Sequence, residues 1–336
     1  MRFKRFALTL IPLTLLTFGA VVLSVLVGPS DFSAREVLGA LFDSGDESNL
    51  GAIAHLRLGR SLAALLVGGA LSAAGVVTQS VLRNPLAEPY ILGISGAAGL
   101  ASAISTLAFG TLMALSGFIS YLPAMLGAIA AVLLIVAVKR AVRTLGSEGI
   151  ILLGVMINAF CGSLVIALAS FMGEMQLMSF FRWLIGSLAI LPYSYGNLFS
   201  AGLGVAGLVT MLMFSARSMN LLSLSDDEAR SLGVNVDASR MYLLILAGIL
   251  TAVAVSLAGL VGFVGLVVPH AARRAFSGDV RLLLPASVLS GGGLLVLCDT
   301  LARMVVSGTE IPVGVVTALL GAPVFVLILL SRRRHV

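Results

Sequence analysis

Asp299 and Arg303 stand one helical turn apart within a long apolar run, a depth at which an ionisable group is costly and usually has a partner or a task. The i+4 spacing lets the guanidinium neutralise the carboxylate, so a structural ion pair and a functional acid are both open readings. Arg57 and Arg60, in His55-Leu56-Arg57-Leu58-Gly59-Arg60, are three apart and share one side of a helix. Such a pair can receive the carboxylates of a visiting protein, or it can extend to the membrane interface with its charge in water. A third constellation is Ser225-Asp226-Asp227-Glu228-Ala229-Arg230-Ser231-Leu232-Gly233. A hydroxyl N-cap, first-turn acids and a glycine stop mark a short helix, read either as a solvated turn or as a rigid element that transmits a push.

Catalytic patterns are missing. His55, His270 and His335 are far apart in the chain, and neither an H-E-x-x-H helix nor a G-x-S-x-G elbow occurs. The phosphate-cradling G-x-x-x-x-G-K-[ST] loop is absent too, so uphill transport would draw its energy from a separate chain. An ion-coupled carrier would place carboxylates inside its spans. Of the 15 acidic residues only Asp299 falls there, which makes secondary transport the second reading and an enzyme the least supported.

The elements that hold these residues are membrane helices. The 336 residues are 59% hydrophobic and only 11% charged, leaving too little polar surface to cover a water-soluble globule. Apolar runs near 7–27, 61–81, 91–109, 120–138, 149–171, 194–214, 241–260, 282–306 and 312–330 predict spans. Gly262–Phe276, at about 22 Å as helix, returns across part of the bilayer.

Counting that segment as a return puts both termini and most Lys and Arg on the cytoplasmic side, leaving Arg35, Arg57, Arg60, Arg182 and Arg303 outside. The expectation is an all-α polytopic protein of ten transmembrane helices with a short cytoplasmic coupling helix. It forms a single domain over residues 1–336, with the coupling loop at about 217–240. The first apolar run reads as a retained helix, since it lacks an A-x-A-like cleavage site. A net charge of +6 reflects cytoplasmic Lys and Arg rather than nucleic-acid binding. Cys161 and Cys298 sit in apolar runs as packing residues, and Gly68 to Gly75 form a small-residue face for close helix approach.

Several blocks resemble the permeases of ABC importers for ferric siderophores, haem and cobalamin. They are Leu56-Arg57-Leu58-Gly59-Arg60, Arg83-Asn84-Pro85-Leu86-Ala87-Glu88-Pro89, and Glu228-Ala229-Arg230-Ser231-Leu232-Gly233. The C-terminal third adds Gly262-Phe263-Val264-Gly265-Leu266-Val267-Val268-Pro269-His270, Asp299 with Arg303, and Ile311-Pro312-Val313-Gly314-Val315. Gly59 departs from the proline common in relatives.

The resemblance implies a homodimer, two cytoplasmic ATPase subunits that bind ATP and Mg, and a periplasmic or lipid-anchored substrate-binding protein. No cofactor and no metal site is expected in this chain. Arg57, Arg60 and Arg303 are implied as binding-protein docking residues, and Asn84, Leu86 and Ser147 as the cytoplasmic gate. Asp226, Asp227, Glu228, Ala229, Arg230, Leu232 and Gly233 are implied as the ATPase-coupling element. Ferric siderophore is the first expectation for the cargo, with haem and cobalamin as alternatives.

Overall fold

The computed structural model describes residues 2–29, 32–42, 49–110, 122–142, 146–189, 195–306 and 310–332. Of the residues used for orientation, Arg143, Arg333 and Arg334 lie outside these, as does His335. The described chain is helical: α1 (Arg2–Leu26), α2 (Ala34–Phe42), α3 (Asn49–Val81), a 3-10 turn (Pro89–Leu92), α4 (Ile94–Phe109), α5 (Leu122–Ala141), α6 (Ser147–Ala169) and α7 (Glu174–Leu184). It continues with α8 (Tyr195–Phe214), α9 (Ala216–Leu222), α10 (Asp226–Ser231), α11 (Val236–Ala258), α12 (Val264–Ala275), α13 (Val280–Met304) and α14 (Val313–Arg332).

Among the described residues, seven helices are long and apolar enough to cross a membrane: α1, α3, α5, α6, α8, α11 and α13. α4 and α14 supply shorter apolar stretches, and α12, with 12 residues, reaches about 18 Å. The predicted spans each have a helical counterpart. α2, α7 and α9 are additional short helices that hydropathy alone does not announce.

Among the described residues α3, α11 and α13, the last with 61% of its apolar window buried, form the interior. The apolar window of α3 is 83% buried and that of α11 72%, against 11% for α1 and 17% for α8. The outer helices turn large side chains away from the protein, including Phe160, Ile166, Phe199 and Leu319. So much exposed apolar surface calls for lipid or another subunit around it.

Bare backbone makes the centre compact. A methyl group on Gly68 would stand 2.2 Å from the carbonyl oxygen of Gly291 in α13, and one on Gly75 would stand 1.9 Å from that of Gly265 in α12. Pro269 has no N–H to give the Gly265 oxygen, and that oxygen instead lies against the bare Cα of Gly75.

Local signals set the helix ends. Asn235 Oδ1 accepts from Ala238 N at 3.1 Å to open α11, and Asp279 Oδ1 accepts from Arg281 N at 3.1 Å to open α13. α12 starts from Phe263, held at φ 69. Its N–H donates to Glu88 Oε1 at 2.8 Å, so an acid from the loop after α3 caps a helix 175 residues away. Cys161 and Cys298 are both free and buried.

Candidate functional site

α3 and α13 run antiparallel, which sorts the singled-out residues into two ends. The arginine end holds Arg57 and Arg60 from α3, Asp299 and Arg303 from α13, and the C-terminal turns of α1. Arg60 Nε donates to both Asp299 oxygens at 2.9 and 3.0 Å, and its Nη2 lies 2.9 Å from Oδ1. Arg303 Nε approaches Asp299 Oδ2 at 3.2 Å, the i+4 pair that the spacing anticipates. Arg303 Nη2 also donates to Ser24 Oγ at 2.7 Å and to Ser24 O at 3.1 Å. Ser24 Oγ in turn meets Ser61 Oγ at 2.8 Å. Arg57 Nη1 donates to Val25 O at 3.3 Å.

Glu310, between α13 and α14, accepts from Arg60 Nη1 at 2.7 Å and is itself 43% exposed. Among the described residues Arg60 and Arg303 face Asp299, and Arg60 also meets Glu310, while Arg57 lies on the Val25 carbonyl beside them; Asp299 is fully buried and the three arginines are only 3–5% exposed. The structure brings Arg57, Arg60 and Arg303 together, at a depth below the surface and with partners inside the chain.

The opposite end carries the loop helix. Ser225 Oγ accepts from Glu228 N at 3.3 Å while Ser225 N and Oγ donate to Glu228 Oε2 at 3.0 and 2.7 Å, a reciprocal cap that starts α10 where the sequence places it. Gly233, at φ 84, ends it, with its N–H donating to Arg230 O at 3.0 Å. The helix has two sides. Asp227, Glu228, Arg230, Leu232 and Gly233 are exposed, whereas Ala229 is buried and Asp226 half-buried.

Burial favours the protonated form of Asp226. The hydrogen bond and charge of Arg240, followed by those of Arg83, outweigh it and hold the carboxyl below the usual aspartate range. Glu228 is lowered chiefly by its hydrogen bonds from Ser225. Lys139 and Arg230 both reach Asp237 at the start of α11, at 3.4 and 3.9 Å.

The loop after α3 sits against this end. Asn84 Oδ1 accepts from Leu86 N at 3.0 Å and Asn84 O from Ala87 N at 2.9 Å, a closed turn that leaves Leu86 half-buried. Ser147 opens α6. Among the described residues no hydrogen bond joins it to Asn84 or Leu86.

Two polar residues escape the sequence reading. Asn158, inside α6, accepts from Gly96 N at 2.8 Å and donates to Tyr90 O at 3.0 Å, pinning the 3-10 turn to α4. A lone asparagine in an apolar run is its only signal, and that signal names no partner. Glu88 is the other, an acid assigned to a loop that proves to cap α12. Among the described residues no group of three His, Cys, Asp or Glu could hold a metal ion.

Comparison with known proteins gives concordant results. Residues 15–331 match the FecCD transport family. The chain is 39% identical over 287 residues to a hemin transport system permease protein of Yersinia pestis, covering 84% of each. It is 35% identical over 328 residues to a vitamin B12 import system permease protein of Citrobacter koseri, covering 96% of this chain and 94% of that one. A solved structure described as an inward-facing conformation of a metal-chelate type ABC transporter superposes with a TM-score of 0.82 at 28% identity, covering 96% of this chain and 99% of that one. A family match over residues 15–331, relatives that are themselves permeases, and the same helical architecture agree: the chain belongs to the FecCD transport family.

Proposed function

We propose that this chain is the membrane-spanning subunit of an ATP-driven importer that moves a metal chelate into the cytoplasm. The observation that carries the reading is the family match over residues 15–331. Relatives named for hemin and for vitamin B12 support the chelate class, and ferric siderophore remains the first candidate for the cargo.

The working assembly is a homodimer in the inner membrane, with ten spans per subunit and both termini in the cytoplasm. Two cytoplasmic ATPase subunits bind ATP and Mg, and a periplasmic or lipid-anchored binding protein delivers the cargo. The chain itself catalyses no reaction. The loop end faces the motor, whose contact is the exposed side of α10: Asp227, Glu228, Arg230, Leu232 and Gly233. Asn84, Leu86 and Ser147 narrow the inner end of the path, and the two ends of the bundle open in alternation.

Arg57, Arg60 and Arg303 form the docking seat for acidic residues of the binding protein. The three guanidinium groups lie side by side, and arginine pairs bidentately with carboxylates such as those of an acidic partner surface. Glu310 is the carboxylate open to exchange, because it is 43% exposed while Asp299 is sealed.

The test is uptake into proteoliposomes holding the permease and its ATPase, with binding protein and ATP supplied. The expectation is ATP-dependent uptake that requires the binding protein and is lost on charge reversal, Arg57→Glu with Arg60→Glu. Accumulation of solute against its gradient by the chain alone would overturn the reading in favour of an ion-coupled carrier.

A further inference from the structure

The contacts of α10 are divided between its two sides, and among the described residues the hydrogen bond between the helix and the gate loop is made by Asp226. Asp226 is the first residue of α10, and its Oδ1 accepts from two arginines. One is Arg240 in α11, whose Nη2 lies at 3.0 Å. The other is Arg83, the residue immediately before Asn84.

Arg83 is held at more than one point. Its Nε donates to Leu222 O, the last carbonyl of α9, at 2.9 Å. Its backbone lies at φ 49, in the left-handed region that a non-glycine residue enters only when its surroundings hold it there. The next residue closes the Asn84–Ala87 turn through its own side chain and carbonyl. A short chain of charge-assisted contacts thus runs from the N-terminus of α10 through the Arg83 side chain to a compact turn bearing Asn84 and Leu86.

We propose that Asp226 is a positioning residue that carries displacement of α10 to the Asn84–Leu86 turn through Arg83, and is not a contact for the motor. The proposal rests on the importer reading above. It divides the Asp226–Gly233 block: exposed residues receive the force, and Asp226 delivers it inward. The exposed acids Asp227 and Glu228 contact a partner surface; Glu228 senses the charge of Arg83, but among the described residues it accepts no hydrogen bond from it. The geometry favours this division because Asp226 Oδ1 is already engaged by two arginines, one from the loop after α3 and one from α11.

The probe is the thiol-labelling rate of Leu86→Cys in the assembled complex with its ATPase in lipid nanodiscs, measured with and without ATP. It needs no knowledge of the cargo, and the native Cys161 and Cys298 are buried. The readout is the ATP-induced change in labelling rate per ATP hydrolysed, so that a loss of assembled complex alone does not register.

Asp226→Asn and Arg83→Gln are each expected to reduce that change about two- to thirtyfold, with the double variant no worse than either single. Asp226→Glu, which keeps the charge, restores part of it. Arg240→Gln cuts the other contact of Asp226 but leaves the path to the gate, and is expected to keep the change per ATP near that of the parent. If Asp226→Asn leaves the change per ATP intact, or if Arg240→Gln lowers it as much as Arg83→Gln, Asp226 is a structural cap and the proposal fails. If the parent complex itself shows no response to ATP, the importer reading fails and this one falls with it.

Discussion

Replacing Asp299 with asparagine tests whether the arginine end is a buried electrostatic unit. The Asp299 side chain is fully buried, and both arginines that face it are 4% exposed, so no solvent can replace the lost charge. Removing one member of a buried pair costs about 3–5 kcal/mol, since the cation left behind is neither hydrated nor neutralised. Here two cations are left. Glu310 contacts the same Arg60 at 2.7 Å but is 43% exposed, and an ion pair in that regime contributes about 1 kcal/mol or less.

The expected ranking is therefore a loss of about 3–5 kcal/mol for Asp299→Asn and at most about 1 for Glu310→Gln. A difference of about 2 kcal/mol or more is a factor of roughly thirty in the folded-to-unfolded ratio. Reversible unfolding of the detergent-solubilised protein by titration with a denaturing detergent would measure both. The triple variant Arg60→Met, Asp299→Leu and Arg303→Met should recover most of the loss, because well-packed apolar residues avoid desolvating charge altogether. Equal, small effects for Asp299→Asn and Glu310→Gln would refute the argument, since they would mean that water reaches Asp299.

Two further outcomes follow from the packing and the charges. Gly75→Ala should destabilise by about 1–3 kcal/mol or more, because the added methyl would stand 1.9 Å from the Gly265 oxygen; Gly162→Ala, with nothing within 4 Å, should be neutral or stabilise by up to about 1 kcal/mol in the same titration. The carboxyl of Asp226 is held below its usual range, so the stability it contributes is complete at neutral pH and is lost as pH falls through and below about 4. The difference in hydrogen-exchange protection of residues 226–232 between the parent and Asp226→Asn should accordingly be constant from pH 5 to 7 and fade on acidification; a difference that grows toward acid would contradict the sign.

What the sequence discloses is what its near neighbours determine. α10 is readable because Ser225 and Glu228 cap each other three residues apart, and the Asp299–Arg303 pair is readable because one helical turn separates its members. The predicted start of the second span at 61 differs from the observed start of α3 at Asn49. A hydropathy window registers the cost of His55, Arg57 and Arg60 but not the distant Asp299 and Glu310 that offset it. The same blindness hides the cap that Glu88 puts on α12 and the hold of Asn158 on the 3-10 turn, both made across long stretches of chain. The link from Arg83 to Asp226 spans 143 residues, and neither residue carries a local mark of the other.

The length of α3 has a mechanical corollary. Its 33 residues form a rod of about 50 Å with no proline, well beyond a hydrocarbon thickness of about 30 Å. One continuous ladder of backbone hydrogen bonds thus begins at Asn49, about two turns before Arg57, and stops just short of Arg83. Because its flanks press on neighbouring main chain at Gly68 and Gly75 with no side chain to yield, the rod has little room to flex midway. A tilt imposed at either tip must reappear, reversed, at the other, so the two faces of the membrane share a single pivot.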